Sequence, residues 1–460
     1  MSTSCTPEVQ HDPPTDSIER KEMPRGLVAL MSVCCAVSVA NVYYAQPLLD
    51  AISHDFHISH SDVGGVITAT QVGCALSLMF VVPLGDLINR KRLIVCQLVL
   101  LAIACVAVAL SGSQHALLAG MIGVGLLGTA MTQVLIACAA ALANESERGR
   151  VVGTAQGGVV VGLLMARSLA GVVADVAGWR AVYLVSAVFA VGMLIVLLLF
   201  LPTPRPSRVQ LSYAGLLRSM IELLLRERVL QVRGFLGLLM FAAFSIFWSA
   251  LVLPLSAPPH AMSHTGIGAF GLVGALGAMA AARAGSLTDR GHGQTTTCVA
   301  LGLLCASWLP ISLIDKSVIL LIVGVVLLDI GGQAIHVVNQ SMIFSTRPEA
   351  HARLVGCYML FYSAGSGLGA ISSTVIYSRA GWPGVCALGF VVSMTAFAFW
   401  AATVRHAGRQ MPLAGTAVPV PVEAGLSRPS RLVAKAPARR STRQPCGGTA
   451  SGSIHITSQI

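Results

Sequence analysis

The stretch PLGDLINRKR at residues 83–92 follows the second of about twelve apolar runs, each about 20 residues long. A related stretch, GSLTDR at residues 285–290, follows the eighth run, and its Asp289 lies 203 residues after Asp86. The runs therefore form two groups of six, separated by a basic segment at residues 202–231. A six-plus-six membrane repeat builds a central pathway that opens alternately to either side. This pattern favours a transporter.

The composition is that of a membrane protein. Hydrophobic residues make up 55% of the chain and charged residues 11%, which is too little charge to cover soluble domains of this size. The runs do not alternate polar with apolar residues, as the strands of a membrane barrel would. We therefore predict an all-α membrane protein with twelve transmembrane helices in two six-helix pseudo-repeats. The predicted spans are residues 25–49, 62–84, 93–112, 116–142, 151–174, 180–201, 232–256, 265–287, 294–313, 317–345, 354–378 and 383–404.

The chain divides into five predicted parts. The two six-helix bundles cover residues 25–201 and 232–404, and a cytoplasmic linker that contains an amphipathic helix covers residues 202–231. Residues 1–24 and the basic tail at 405–460 lack apolar periodicity, so we expect both to be disordered. The first apolar run is long enough to span a membrane, so we expect no cleaved leader.

The distribution of the basic residues behind the net charge of +11 indicates how the chain is oriented in the membrane. Residues 405–460 hold eight Lys or Arg and one acidic residue, and most other basic residues lie in alternate loops between the spans. The positive-inside rule then places both termini in the cytoplasm. We expect the lipid bilayer as a partner and no nucleic acid.

The tenth span carries polar residues on one helical face. Asp329, Gln333, His336 and Gln340 follow steps of 4, 3 and 4 residues. Polar groups inside a bilayer need a partner or an aqueous cavity, so we interpret this face as lining a pathway. Asp329 lies near mid-span, and both Asp329 and His336 can exchange the coupling proton. The alternative is a hydrogen-bonded seam between helices without titration.

Arg167 is a charged residue within the fifth span. It follows a ridge of small residues that would let another helix approach closely, Gly158, Gly162 and Ala166. Arg167 occupies a different face, and it cannot deprotonate. As a fixed charge in the central cavity it could hold an anionic group, pair with Asp329 or contribute to proton coupling. The alternative is a structural ion pair with Asp175 or a carbonyl cap near the outer end.

Other polar and aromatic residues in the spans are weaker candidates for the substrate cavity. Pro47 should kink or end the first helix, and Tyr43 is expected to be an anchor at the membrane interface. The aromatic pairs at helical spacing fit packing as well as substrate contact. The cavity candidates are Asn41, Tyr44, Gln71, Thr132, Gln133, Trp248, Asn339, Tyr358 and Tyr362.

These residues resemble the major facilitator superfamily over roughly residues 25–405. The family signature, G-x-x-x-D-R-x-G-R-[RK] after spans two and eight, is implied to latch the two halves at the cytoplasmic side. The first copy departs from it at Val82, Leu87 and Asn89, and the second copy departs at residues 292–294. The resemblance implies a cytoplasmic gate formed by Asp86, Arg90, Lys91, Gly285, Asp289 and Arg290.

A narrower resemblance is to a bacterial subgroup similar to sugar and purine-nucleoside efflux carriers and to drug:proton antiporters. It rests on four segments, residues 41–49, 85–86, 166–168 and 336–340. The fourth-span arginine that the family's drug exporters use in coupling has no match near residues 123–125. The resemblance implies a multi-pass protein of the bacterial inner membrane.

The leading hypothesis is a secondary active transporter that exports a small organic solute while protons move inward by alternating access. The alternatives are an uncoupled facilitator and a proton-driven importer of a small metabolite. No nucleophile or metal-ligand motif and no phosphate-binding loop is present, so we expect neither an enzyme nor a bound metal or cofactor. We expect a monomer. The residues would suit a zwitterion or a neutral sugar equally well.

Overall fold

The computed structural model describes residues 23–144, 147–202, 212–347 and 351–410. Within these ranges the chain is helical and has no strand. The disorder predicted for residues 1–24 and 405–460 falls almost entirely outside the described residues. The last helix continues to Gln410, beyond the predicted end of the second bundle at residue 404.

The first half consists of six antiparallel helices. Helix α1 ends later than the predicted residue 49, because Pro47 interrupts it without ending it: a tight turn at Gln46–Leu48 leads into a further segment, Leu49–Phe56. The helices are α1 (Arg25–Phe56), α2 (Gly64–Gly85), α3 (Arg90–Ala109), α4 (Gln114–Leu142), α5 (Arg148–Ala177) and α6 (Trp179–Phe200).

A connecting helix, Tyr213–Arg226, precedes the second half and buries Leu216, Met220 and Leu223, as its amphipathic pattern predicts. The next four helices are α7 (Arg228–Ser256), α8 (His264–Leu287), α9 (Arg290–Ile311) and α10 (Val318–Phe344).

The final helical segment, Arg353–Arg405, contains two spans. Its 53 residues would extend about 80 Å as one helix, far more than the roughly 30 Å of a bilayer core. The backbone breaks at Gly381, whose φ of 61° lies in the left-handed region that glycine tolerates. Helices α11 (353–380) and α12 (382–405) therefore complete twelve spans within the described residues. The predicted fold class is confirmed.

The outer surface of the bundle is apolar. Helices α3 and α6 expose large side chains such as Ile103 and Val188, and α9 and α12 do so through Val299 and Val391. A surface of this kind is unfavourable in water and suits lipid.

The two ends of the bundle are distinguished by their loops. The near end carries Met23 and the chain between the halves; there Lys91 Nζ donates to the Leu201 carbonyl at 2.8 Å. The far end carries the Arg180–Asp55 ion pair and the hydrogen bond from Arg180 to the Ser111 carbonyl at 3.1 Å.

The halves are joined closely toward the far end. Glycines allow backbones to touch there: a Cβ on Gly171 would overlap the carbonyl of His264, and one on Gly64 would overlap the carbonyl of Ala370. Thr68 also donates across the interface to the Gly367 carbonyl at 2.8 Å.

Asp175 at the end of α5 clasps the start of α8 from across the interface. Its Oδ1 accepts from the His264 backbone N–H at 3.1 Å and lies 2.9 Å from Nδ1 of the same residue. Its Oδ2 accepts from the Thr265 N–H at 2.8 Å. These two N–H groups belong to the first turn of α8, where no carbonyl within the helix can accept from them. This Asp175 clasp joins the two halves at the far end.

The predicted ridge on α5 packs against α1. A Cβ on Gly158 or Gly162 would overlap the backbone carbonyls of Ser32 and Ala36, respectively. The prediction of a close helix approach along this ridge is confirmed.

Candidate functional site

Arg167 lies at the centre of the interface between the halves and is only 2% exposed. Its Nε donates to Oε1 of Gln46 at 2.7 Å. Its guanidinium carbon lies 4.1 Å from the ring centre of Trp248 and 5.3 Å from that of Tyr43. Nη2 has no hydrogen-bond partner among the described residues. The charge is therefore held by two aromatic faces and one amide, with one donor nitrogen still free.

The interruption of α1 brings Tyr43 and Gln46 to this point. The helix stops at Tyr43, and the turn that begins at Gln46 aims the amide at Arg167. The Tyr43 hydroxyl bonds to the hydroxyl of Tyr362 on α11, which belongs to the other half. The expectation that Tyr43 anchors the membrane interface is wrong, because its side chain is buried in this cluster. The neighbouring candidate Tyr44 is buried in the apolar core instead.

Asp329 on α10 is also 2% exposed, and its Oδ2 has no hydrogen-bond partner within the described ranges. Two glycines of α8 pack against it: a Cβ on Gly274 would lie 3.0 Å from Oδ2, and one on Gly277 would lie 3.0 Å from the Asp329 Cβ. Trp248 lies close enough to interact with the carboxyl, although its Nε1 also has no hydrogen-bond partner among the described residues.

Arg167 and Asp329 thus face each other across the two halves. They interact electrostatically, but the described residues include no ion pair within 4.0 Å between them. The alternative in which Arg167 pairs with Asp175 is wrong, because Asp175 forms the clasp with α8. We call these two residues the Arg167–Asp329 pair.

His336 lies two turns from Asp329, about 10 Å nearer the near end. Its Nδ1 lies 3.2 Å from the Tyr358 hydroxyl, and the two rings stack at 5.5 Å. Phe241 joins this group to the site above, since its ring lies 5.2 Å from His336 and 4.1 Å from Tyr362. Phe241 and Tyr362 therefore connect His336 to the cluster of Tyr43 and Arg167.

The other polar residues of α10 take different positions. Gln333 and Gln340 are partly exposed, and Asn339 is fully buried. Asn339 Oδ1 lies 3.5 Å from a guanidinium nitrogen of Arg233, which also donates to Thr297 at 3.1 Å.

Arg233 is a buried cation that the sequence prediction missed. It is 4% exposed, and no carboxylate lies within ion-pair distance of it among the described residues. The missed signal was its position two residues inside the predicted seventh span, where a basic residue is ordinarily read as a loop charge.

Several predicted cavity residues satisfy their polar groups within the bundle. Asn41 Oδ1 accepts from Ser186 at 2.5 Å and from Cys105 at 3.5 Å, while its Nδ2 donates to the Val37 carbonyl at 2.9 Å. Asn41 therefore joins α1 to α3 and α6. Thr132 donates to a carbonyl of its own helix at 2.8 Å.

Two further candidates keep free polar groups. Gln71 is buried against Gly367 of the other half, and its Oε1 has no partner in the described part of the chain. Gln133 on α4 is partly exposed.

The motif residues of the near end bond mainly to backbone. Arg90 donates to the carbonyls of Gly85 and Ala137, both at 3.0 Å, and Asn89 caps the start of α3. In the second copy, Gly285 packs on α10 and Arg290 is exposed. The described bonds of Arg90 and Lys91 stay within the first half. The side chains of Asp86 and Asp289 lie outside what the structure describes, so the latch stays a prediction.

A small cavity lies beside Arg167. Its volume of about 10 Å³ leaves room for about one water molecule. Besides Arg167 its walls are largely apolar, and the lining residues include Pro47, Trp248, Leu251 and Ile267.

Comparisons with known proteins agree with this architecture. The profile of a family described as Major Facilitator Superfamily matches residues 29–319 and 284–441. The uncharacterized transporter YgaY of Escherichia coli O157:H7 is 39% identical over 379 residues, which cover 82% of this chain and 96% of that protein. The inner membrane transport protein YnfM of Escherichia coli K12 is 26% identical over 387 residues, covering 83% and 90%.

A solved structure with a similar fold is that of a bacterial homologue of the human lysosomal transporter Spinster, in an inward-facing and unoccupied conformation. It has a TM-score of 0.68 and 16% sequence identity, and the match covers 83% of this chain and 97% of that one.

Proposed function

This chain belongs to the major facilitator superfamily and is a membrane transporter of that type, and we propose that it exports a small organic solute in exchange for protons. The Arg167–Asp329 pair carries this proposal. The two groups are buried at the interface between the halves, one from each half, and they are not in direct ion contact.

The pair supplies a reason for proton coupling. A buried carboxylate is unfavourable unless a cation neutralises it or a proton binds to it. Arg167 keeps its charge under all physiological conditions, so only Asp329 can change its protonation state. Because the two residues belong to different halves, a rocking motion changes their separation. The preference of Asp329 for its protonated form then depends on the conformation, which is what coupling requires.

The arrangement of contacts supports alternating access. The Asp175 clasp and the glycine contacts close the far end, and the buried pair lies between this closure and the near end. A carrier with a site in this position exposes it to one side at a time when one half rocks against the other.

The orientation is part of the proposal. We assign the near end to the cytoplasm of a bacterium and the helices to its inner membrane, with both termini cytoplasmic. The basic loops support this assignment. The name of YnfM, an inner membrane transport protein, also supports it. The proposed partners are the solute, protons and lipid, and the proposed unit is a monomer.

Proton flux in proteoliposomes that carry a lumenal pH dye tests the function. Nucleosides, sugars, amino acids and cationic drugs are added in turn to the full chain. Export by exchange predicts that one class drives protons in the direction opposite to the solute, and that Asp329→Asn abolishes this flux. Asp315→Asn is the matched control, because Asp315 is 78% exposed and lies outside the site.

Each other result identifies another mechanism. Labelled-solute flux without a pH change would show a facilitator, and protons moving with the solute would show an importer. His336→Gln separates the two titratable candidates: if only this variant loses proton flux, His336 is the coupling residue and Asp329 is not.

A further inference from the structure

We propose that the transported solute is a zwitterion, an amino-acid-like molecule with a carboxylate, an ammonium group and an apolar side chain. This inference rests on the proposed function and names the substrate class of the Arg167–Asp329 pair. Two unpartnered polar atoms at the site, one donor and one acceptor, carry it.

The first atom is a donor that suits a carboxylate. Arg167 Nη2 has no partner among the described residues, although the guanidinium is fixed in place by Gln46 and the rings of Trp248 and Tyr43. Trp248 lies close enough to Asp329 to interact with its carboxyl, so its Nε1 is not counted as a donor for the solute. A planar guanidinium with a free nitrogen is the side chain best suited to a carboxylate.

The second atom is an acceptor that suits an ammonium group. Oδ2 of Asp329 is buried without a hydrogen-bond partner in the described chain. Gly274 has no side chain that could press on this oxygen. A Cβ at this position would lie only 3.0 Å from Oδ2. The carboxylate oxygen is thus kept free by the sequence around it.

The two charged residues lie beside the same segment of α8. Gly271 packs on the side chain of Arg167, and Gly274 packs on Oδ2 of Asp329. Residues three apart on a helix are about 5–6 Å apart between Cβ positions. About one turn of α8 therefore passes beside the aliphatic stem of Arg167 and the carboxyl of Asp329, and it presents glycines to both.

Charge balance separates a zwitterion from an anion or a cation. The pair has no net charge when Asp329 is ionised, so a simple anion or cation would add a net charge in the middle of the bilayer, which is unfavourable. A zwitterion satisfies both buried groups and adds none.

The direction of coupling agrees with this assignment. An ammonium group and a proton compete for the same oxygen of Asp329, so one leaves when the other binds, as exchange requires. A simple anion on Arg167 would instead bind better when Asp329 is protonated, and solute and proton would then move together.

The residues that line the cavity beside Arg167 indicate the nature of the solute's side chain. Leu251, Val252 and Ile267 line the cavity beside Arg167. These side chains suit an apolar substituent. The cavity holds about one water in this conformation, so such a solute enters when the halves part.

Ligand-induced thermal stabilisation of the purified full chain in lipid nanodiscs tests the inference. A ligand that binds the folded protein raises its melting temperature by mass action. The probes are L-leucine, L-phenylalanine and the two partial analogues of leucine, 4-methylpentanoate and 3-methylbutylamine, which lack the ammonium group and the carboxylate, respectively. We expect half-saturation by L-leucine at a concentration at least tenfold lower than by either analogue, because each charged contact contributes at least that factor.

Variants assign the two contacts. Arg167→Gln should remove the preference for leucine over 3-methylbutylamine, and Asp329→Asn should remove its preference over 4-methylpentanoate. If Arg167→Gln does not give a cooperative melt, Arg167→Lys is used, which keeps the charge but loses the planar fork. Asp315→Asn should behave as the parent protein.

Equal affinity for leucine and one analogue, or no stabilisation of the cooperatively melting protein by either amino acid, would overturn the inference. The assay uses no proton gradient, so it is independent of the proposed exchange. Binding of zwitterions without proton flux would contradict the exporter and leave the substrate class standing. Proton exchange driven by another solute, without zwitterion binding, would support the exporter and contradict the proposed substrate class.

Discussion

Removal of the Asp175 clasp should open the far end. In Asp175→Ala the first-turn N–H groups of His264 and Thr265 lose their acceptor across the interface. The rest of the interface, including the glycine contacts, is unchanged by this substitution. We therefore expect a shift in the equilibrium between the closed and open far end, with the fold retained.

The size of the shift follows from the bonds that are lost. Loss of a capping acceptor costs about 0.5–2 kcal/mol, and a buried hydrogen bond to a charged group contributes about 1.5–3 kcal/mol. The side chains of Asp175 and His264 are both 26% exposed, so water replaces part of these bonds. We take about 1–2 kcal/mol, which changes the ratio of closed to open molecules by about 5- to 30-fold.

Hydrogen exchange measured by mass spectrometry reports this shift. In Asp175→Ala, amides around residues 264–268 should exchange about 5- to 30-fold faster, and so should those around the other far-end contact, where Thr68 meets Gly367. Ser263→Ala is the matched control, because Ser263 caps the same helix through Gly266 within the second half. It should accelerate exchange only at the start of α8. Acceleration confined to α8 in Asp175→Ala as well, or none at all, would refute the reasoning that the clasp holds the halves together.

Three further predictions concern stability. Gly162→Ala should destabilise the bundle by about 1–3 kcal/mol in thermal unfolding, because the added Cβ overlaps α1. Gly157→Ala is the control and should not destabilise it, since nothing lies within 4 Å of a Cβ there. Equal melting temperatures of the two variants would contradict this packing. Asn41→Ala should lower the free energy of unfolding by about 1–3 kcal/mol, because the Ser186 hydroxyl loses its acceptor. The KM for the solute should stay unchanged. A raised KM at unchanged stability would instead show that Asn41 contacts the substrate. The Met23 N–H donates to the Glu147 carboxylate and lowers the pKa of Glu147. The stabilisation from this bond is therefore present above the ordinary pKa of 4.5 and is lost as pH falls through the lowered value. Glu147→Gln should reduce the loss of melting temperature between pH 6 and pH 3, and an unchanged pH profile would argue against this bond.

The membrane spans and the α5 ridge could be predicted because each depends on local chemistry. A run of about 20 apolar residues crosses a bilayer whatever lies beside it. Small residues at Gly158 and Gly162 permit a close approach by whichever helix is adjacent. The sequence does not say that this helix is α1, which the carbonyls of Ser32 and Ala36 identify.

The composition of the site was less predictable because it depends on which helices meet. Arg167 and Asp329 stood out as charges within apolar runs. Tyr43 and Gln46 did not, since their approach to Arg167 requires the break in α1 and its contact with α5. Asn41 was predicted to line the substrate cavity, and its amide oxygen accepts hydrogen bonds from Ser186 and Cys105 on neighbouring helices.

Arg233 shows a second reason why part of the site could not be predicted from the sequence. Its burial is decided by Thr297 and Asn339 on two other helices, and a basic residue near a helix end looks the same in sequence whether it reaches water or packs inward. Only the tertiary contacts separate these two outcomes.

In the exchange that we propose, one helix connects the closure of the far end to the protonation of the site. Helix α8 carries the N–H groups that the Asp175 clasp binds, Gly271 against Arg167, and Gly274 against Asp329. Asp329 belongs to the same half as α8, whereas Arg167 belongs to α5 of the other half. Opening of the far end separates α5 from α8, and it must therefore move Arg167 away from Asp329. In the proposed exchange the carboxyl then faces the far side without its cation, and a proton from that side neutralises it. If the near end is cytoplasmic, this is the proton movement that drives export, so the glycine face of α8 joins the gate to the coupling step without any additional moving part.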